Sequence, residues 1–147
     1  MEKVIVTGAD GFIGSNLLKK FDELQTEVWA VVYPKSNTKH RIENLSYVHC
    51  VECSLDDLEK HVEDFPDEAD AFYHLAWNGV NALARNDMDL QMENIDLCFS
   101  CLRFAAKKKV QRFILPGSTS EYLYYGKPIN EKAIPSPQDA YGSVKVA

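Results

Sequence analysis

Long hydrophobic runs and an excess of positive charge are both missing from this sequence. No stretch is apolar for long enough to cross a bilayer or to resemble a signal peptide, so we expect a cytoplasmic protein with no membrane partner. The formal net charge of -6 gives no electrostatic footprint for nucleic acid. Any anion site must therefore be formed by a local group of residues. The chain has 147 residues, which is the length of one domain.

Cysteine is scarce, and its four copies form two C-x-x-C pairs, Cys50 with Cys53 and Cys98 with Cys101. Two such pairs can supply four thiolates to zinc. The first pair lies in or at the end of a predicted strand, where residues three apart point to opposite faces, and the second lies in a helical pattern. Neither pair has the glycine or proline expected of a metal knuckle. We therefore predict no metal site, no disulfide, and four buried or half-buried free thiols.

What is present is an alternation of apolar runs and helical patterns. The runs predict five strands, Lys3–Thr7, Glu27–Tyr33, Tyr47–Val51, Ala69–Ala76 and Val110–Leu115. Helices are predicted at 12–24, over "SLDDLEKHVEDF" with Ser54 as N-cap, at about 87–109, and in the final "QDAYGSVKVA". The alternation predicts an α/β fold with a doubly wound parallel sheet (a Rossmann fold) and one domain over 1–147.

Three glycines, Gly8, Gly11 and Gly14, follow the first strand in "VTGADGFIGSN". Between a strand and a helix, absent side chains permit a tight turn, close approach of backbone to a diphosphate, and close packing of the helix. The position therefore favours a dinucleotide phosphate site. The alternative is a tight turn in another doubly wound fold, since glycine recurs in turns for conformational reasons alone.

Five segments appear in the order of a known superfamily: "TGADGFIG", "HLAW" at His74–Trp77, Asn94 in "ENIDL", "GSTSEY" and "YGSVK". With them the sequence resembles the extended short-chain dehydrogenase/reductase superfamily, the NAD(P)-dependent nucleotide-sugar epimerases and dehydratases. The resemblance implies hydride transfer at a sugar carbon of a nucleotide-sugar substrate. Members are about twice this long, so we expect the N-terminal, cofactor-binding part of a larger enzyme, lacking the last strands and the substrate domain and inactive alone.

The resemblance also implies the proton-transfer residues. Tyr141 exchanges a proton with the substrate oxygen, while Lys145, four residues on and on the same helix face, favours the phenolate and binds the nicotinamide ribose. Thr119 is the best match for the residue that hydrogen-bonds the same oxygen, and Ser118 is the fallback. Glu121 is a solvated loop carboxylate in the simpler interpretation and an acid/base in the other.

The resemblance implies cofactor contacts at or just after the end of each of the five predicted strands and in predicted helices. They are Gly8, Gly11, Phe12, Ile13, Gly14, Tyr33, Lys35, Ser54, Leu55, Leu75, Ala76, Trp77, Asn94, Pro116, Tyr141 and Lys145. His74 is expected to be a packed structural residue. An aromatic group, Trp77, Tyr122, Tyr124 and Tyr125, either lines a sugar or nicotinamide pocket or only packs.

The sequence departs from the pattern after the second strand, where NAD-preferring members have an acid that binds the ribose. Val32 and Tyr33 stand there instead. Nearby phosphate partners are Lys35, Ser36, Lys39 and Arg41. We therefore predict NADP in preference to NAD. A second acid, usual near the adenine, is replaced by Ser54.

Other functions remain open at this point. A non-catalytic dinucleotide-binding or redox-sensing module would keep the glycine turn without turnover. A homo-oligomer formed through exposed apolar surface is a further hypothesis. The sequence distinguishes neither the sugar nucleotide nor epimerisation from dehydration or reduction.

Overall fold

The computed structural model describes residues 2–122 and 128–147, so Tyr124 and Tyr125 of the predicted aromatic group lie outside the described residues. The chain divides into two compact units. The first comprises Met1–Ala76 with Leu97–Leu115, and the second comprises Trp77–Asp96 with Pro116–Ala147.

A five-stranded parallel sheet forms the centre of the first unit. Its strands are β1 (Lys3–Thr7), β2 (Glu27–Val32), β3 (Val48–Glu52), β4 (Ala71–His74) and β5 (Arg112–Ile114). The order in the sheet is β3-β2-β1-β4-β5. The five predicted strands are confirmed with their ends shifted by at most two residues. Because the strand order reverses beside β1, the rule for doubly wound sheets places a ligand beyond the carboxyl end of that strand.

Helix α1 (Phe12–Glu23) covers one face of the sheet, and the part of α2 (Met88–Lys107) that belongs to the first unit covers the other. Successive residues of a strand point to opposite faces. Accordingly Leu18 of α1 lies in one buried cluster with Val4 and Val6. Phe104 of α2 lies in the other cluster with Ile5. Burial on both faces explains why the strands read as nearly continuous apolar runs, and it confirms the predicted fold class.

The helix predicted in "SLDDLEKHVEDF" has a different form. Leu55–Asp64 is a 3₁₀ helix with a non-helical residue at His61, and only Leu58 is buried in it. Ser54 begins it, but its hydroxyl donates to the Asp57 carboxylate at 3.2 Å and caps no backbone N–H. With so little packing, this segment lacks the contacts that hold an α-helix of this length.

In the second unit the regular elements are short. Besides the first turns of α2 they are α3 (Ala140–Val146) and 3₁₀ turns at Ala84–Asn86 and Thr119–Glu121. Among the described residues, no helix combines the length and apolarity needed to cross a membrane.

Candidate functional site

The turn after β1 needs glycine at its first position. Gly8 has a φ of +63°, in the left-handed region that favours glycine. A Cβ built on it would lie 2.7 Å from the backbone nitrogen of Ala76. A side chain at residue 8 would therefore both strain the turn and push it away from the residues that follow β4.

Gly14, in the first turn of α1, allows the helix to begin directly against this turn. A Cβ there would lie 2.2 Å from the carbonyl oxygen of Gly8 and 2.7 Å from that of Ala9. Gly11 is the N-cap and provides no side-chain cap. Because the first N–H groups of a helix have no acceptor within it, the start of this 12-residue helix presents donors and the positive end of the helix dipole. This tightly packed glycine cradle at the start of a helix fits a diphosphate bound by backbone N–H groups.

Four further predicted cofactor contacts border the turn. Phe12 and Ile13 are largely exposed at the start of α1. Leu75 and Ala76 are half-buried just after β4. Their contact with a cofactor remains a prediction.

The end of β1 is tied to the end of β4 by a buried hydroxyl. Thr7 Oγ1 accepts a hydrogen bond from the backbone N–H of Ala76 at 3.3 Å and lies 2.8 Å from Nδ1 of His74. His74 is 2% exposed, so it is a packed residue, as predicted. Its role here is to hold the strand ends in register.

The sequence analysis missed a carboxylate in the glycine turn. Asp10 is only 6% exposed, and its Oδ2 accepts hydrogen bonds from the hydroxyls of Ser36 and, at 2.8 Å, Thr38. Arg41 donates to the backbone oxygen of Asp10 at 3.3 Å. Residues 36–41 lie just beyond β2, so these bonds bring an acid from the glycine turn to the end of β2. No spacing in the sequence signals a contact between positions so far apart.

The residues at the end of β2 and just beyond it differ in exposure and in their contacts. Val32 is buried, whereas Tyr33 and Lys35 are exposed. The Lys39 ammonium donates to the Pro34 carbonyl at 3.0 Å and forms an ion pair of 2.5 Å with Glu52. The Lys39 side chain is thus already engaged within the protein. After β3, Ser54 and Leu55 are half-buried.

In the second unit a buried glutamine organises the segment that begins at Trp77. Gln91 is 0% exposed. Its Oε1 accepts the indole N–H of Trp77 at 2.9 Å, and its Nε2 donates to the carbonyls of Gly79 at 2.9 Å and Ala84 at 3.0 Å. Sequence analysis missed Gln91, since a lone glutamine in an amphipathic helix carries no signal.

Asn94, a predicted cofactor contact, is committed to backbone groups of the same unit. Its Oδ1 accepts the N–H of Asn78 at 2.8 Å. Its Nδ2 donates to the carbonyls of Asn78 at 3.1 Å and Leu90 at 3.2 Å. These contacts position the segment that carries Trp77, and a direct contact between Asn94 and a cofactor stays a prediction.

The turn at Thr119–Glu121 is held by a capping box. Ser118 accepts the N–H of Ser120 at 3.2 Å, and Glu121 accepts the N–H of Ser118 at 2.5 Å. The interpretation of Glu121 as a solvated carboxylate is therefore wrong, because it caps this turn and is half-buried. Thr119 is exposed.

Helix α3 packs against this turn at backbone distance. Asp139 caps the helix by accepting the N–H of Gly142 at 2.6 Å. A Cβ at Gly142 would lie 2.2 Å from the carbonyl oxygen of Ser120. The helix that carries Tyr141 and Lys145 thus lies directly on the turn that carries Thr119.

Four side chains of the second unit stack in a row. The Lys145 ammonium lies 3.6 Å from the centroid of the Trp77 ring. The Trp77 and Tyr141 rings meet edge to face, with centroids 5.8 Å apart. The Arg85 guanidinium lies 4.6 Å from the centroid of the Tyr141 ring. The two predicted proton-transfer residues are therefore each in contact with an aromatic or cationic neighbour.

Arg85 was also missed by the sequence analysis. Its Nη2 donates to the Ser120 hydroxyl, and its Nε lies 3.3 Å from the Asp139 carboxylate. That ion pair lacks hydrogen-bond geometry. One guanidinium thus contacts the capped turn, the N-cap of α3 and the Tyr141 ring. An isolated arginine in a loop gives no such indication in the sequence.

The cysteines are buried to different degrees. Cys53 and Cys101 are buried, and burial raises the pKa of their thiols to about 11 and about 12. Cys98 is half-buried. Cys50 is exposed, contrary to the prediction, because β3 is an edge strand.

The model of the NAD dependent epimerase/dehydratase family matches residues 4–147. Comparison with curated protein sequences gave no match.

Solved structures give the same fold. UDP-N-acetylglucosamine 4-epimerase from Methanobrevibacter ruminantium M1, in complex with UDP-N-acetylmuramic acid, is 22% identical with a TM-score of 0.81, over 99% of this chain and 47% of that chain. UDP-galactose 4-epimerase is 25% identical with a TM-score of 0.81, over 98% and 48%. UDP-glucuronic acid 4-epimerase from Bacillus cereus, in complex with UDP-glucuronic acid and NAD, is 25% identical with a TM-score of 0.77, over 98% and 49%. The chain thus spans about half the length of these structures.

Proposed function

Since this chain belongs to the NAD dependent epimerase/dehydratase family, we propose that it is the NAD(P)-binding part of a nucleotide-sugar epimerase, dehydratase or reductase. The observation that carries the proposal is the glycine cradle, where a Cβ at Gly8 or Gly14 would collide with backbone atoms. UDP-sugars are bound in two of the solved structures described above, and NAD in one of these two. We extend both ligand classes to this chain as part of the proposal.

The turn between β1 and α1 binds the diphosphate through backbone N–H groups at the start of the helix. The bound nicotinamide supplies a hydride acceptor for a sugar carbon. Tyr141 takes the proton of the hydroxyl on that carbon, so that loss of a hydride and a proton leaves a carbonyl. Thr119 holds the same oxygen, with Ser118 as the alternative, and Lys145 binds the nicotinamide ribose.

Two observations bear on the rival functions. The high pKa values of the Cys53 and Cys101 thiols keep both protonated near neutral pH, which disfavours a redox sensor built on the C-x-x-C pairs. A non-catalytic module has no need for Tyr141 and Lys145 held side by side with Trp77. Self-association stays a prediction, which light scattering over a range of concentrations tests.

The experiment is a titration of the 147-residue chain with NADH and NADPH, followed by nicotinamide fluorescence and thermal stabilisation. We expect saturable binding accompanied by a rise in Tm. Gly14→Ala should lose this binding, and the exposed Lys19→Ala on the same helix serves as the matched control. No binding of either cofactor at millimolar concentration would overturn the proposal.

The same titration separates the roles of the two residues on α3. Lys145→Met should weaken cofactor binding about tenfold, because it removes a charged hydrogen-bond donor to the ribose. Tyr141→Phe should weaken cofactor binding less than Lys145→Met does, since its hydroxyl acts mainly on the substrate. Equal losses in both variants would contradict this division of roles.

A further inference from the structure

The end of β2 lacks the acid that usually recognises the adenosine ribose. In doubly wound dinucleotide folds a carboxylate about 20 residues beyond the glycines binds the ribose 2′-hydroxyl. Here β2 ends at Val32, which is buried and apolar, and exposed Tyr33 follows. The chain itself therefore supplies no carboxylate at that point of β2.

Asp10 brings a carboxylate to the same place from the glycine turn. Its Oδ2 is fixed by the hydroxyls of Ser36 and Thr38, which come just after β2. Its Oδ1 has no hydrogen-bond partner among the described residues, and the residue as a whole is 6% exposed. The pair of hydroxyls sets the direction of the carboxylate.

We propose that Asp10 takes over the role of the missing acid, accepting a hydrogen bond from the ribose 2′-hydroxyl and repelling a 2′-phosphate. The inference rests on the proposed function and names its cofactor as NAD. It opposes the preference for NADP predicted from Val32 and Tyr33.

The charges around Asp10 argue in the same direction. A phosphate monoester adds between one and two negative charges at neutral pH. Of the nearby cations, Lys39 is paired with Glu52, whereas Arg41 donates to the neutral backbone carbonyl of Asp10 and keeps its charge. Lys35 is exposed, where solvent and salt screen its charge. A 2′-phosphate beside Asp10 would therefore be repelled by the carboxylate, with the Arg41 guanidinium as the charge that opposes this repulsion.

The test compares ligands that differ only in the 2′-phosphate. The 147-residue chain is titrated with NADH and NADPH by fluorescence, and with adenosine 5′-monophosphate and adenosine 2′,5′-bisphosphate by thermal shift. We expect the ligand without the 2′-phosphate to bind about tenfold or more tightly in each pair. Asp10→Asn keeps the shape and the hydroxyl contacts but removes the charge, and it should bring each ratio within about threefold.

Asp22→Asn is the matched control, because it removes the same charge from a carboxylate that accepts the N–H of Tyr47 at 2.8 Å, ahead of β3. It should leave both ratios unchanged. Tighter binding of NADPH by the parent chain, or the parent's ratio retained in Asp10→Asn, would overturn the role of Asp10 and leave the proposed function standing. Failure of all four ligands to bind would overturn both. Should Asp10→Asn fail to fold, the two ratios of the parent chain decide.

Discussion

The Lys145 ammonium lies over the ring of Trp77, 3.6 Å from its centroid, and donates to the carbonyl of Pro116 at 3.1 Å. The ammonium of this long, flexible side chain is thus held by two contacts, one with the Trp77 ring and one with the Pro116 carbonyl. Trp77 is in turn fixed by the buried amide of Gln91. The position of the lysine that we propose to bind the ribose is set by residues outside its own helix.

The first prediction is an energetic coupling between Trp77 and Lys145. A double-mutant cycle with Trp77→Leu and Lys145→Met should give a coupling free energy of about 0.5–1 kcal/mol, the value expected of a partly exposed cation–π pair. Denaturant unfolding of the four chains measures it. The same cycle between Trp77→Leu and the exposed Lys19→Met should give none, and additivity within the first cycle would show that the contact contributes nothing.

Gln91 carries the second prediction. Gln91→Leu should lower the free energy of unfolding by about 3 kcal/mol, because the Trp77 indole and the carbonyls of Gly79 and Ala84 lose their partners. The exposed Gln111→Leu, measured by the same urea titration, should change it by less than about 0.5 kcal/mol. Similar effects of the two substitutions would mean that the buried amide does not organise the segment.

The third prediction concerns Arg85 and the Tyr141 ring. Arg85→Met should reduce the near-ultraviolet circular dichroism of the stacked aromatic residues and lower the free energy of unfolding. The loss of free energy should be only about 1 kcal/mol, because the guanidinium is partly exposed to solvent. Arg85→Lys should restore little of either signal, because an ammonium cannot contact Ser120, Asp139 and the ring together. Full recovery in Arg85→Lys would reduce the role of Arg85 to its charge.

The fold was predictable because its determinants are local. The strands are nearly continuous apolar runs, so the hydrophobic pattern alone indicates them. Gly8 and Gly14 follow the first strand at positions where a side chain is sterically excluded, so their place in the sequence indicates the turn. The α-helical form of Leu55–Asp64 was predicted wrongly because the charge pattern suited a helix while too little of it was buried to stabilise one.

The contacts around the candidate site were not predictable, because each joins residues that are distant in the sequence. Asp10 reads as one variable position among the glycines until Ser36 and Thr38 are seen to bind it. Arg85 acquires its neighbours only when α3 packs against the turn that contains Ser120. Polar groups of this kind follow the packing of the backbone, and no periodicity encodes them.

The fourth prediction distinguishes two glycines of the same turn. Gly14→Ala places a Cβ 2.2 Å from the Gly8 carbonyl oxygen, and it should lower the free energy of unfolding by about 1–3 kcal/mol and remove cofactor binding. Gly11→Ala leaves 3.1 Å to the same oxygen, and Gly11 has a φ of -67°, which alanine adopts readily, so its cost should be smaller. Thermal unfolding and NADH titration compare the two. A larger loss in Gly11→Ala would contradict the steric argument.

The last prediction is a loss of stability in alkaline solution that originates in the buried thiols. Burial raises the pKa of Cys101 to about 12, from an ordinary value near 9. A raised folded-state pKa means that the unfolded chain releases this proton first, so the stabilising contribution is complete below about pH 9 and is lost as the pH rises toward 12. Each thiol of this kind changes the free energy of unfolding by at most about 1.4 kcal/mol per pH unit.

Denaturant unfolding between pH 8 and pH 11 measures how steeply the free energy of unfolding falls with pH, and this slope should be shallower in Cys101→Ala than in the parent chain. The exposed Cys50→Ala is the control and should keep more of the parental slope. If Cys101→Ala and the parent had the same slope, the Cys101 thiol would have to ionise as readily in the folded chain as in the unfolded one.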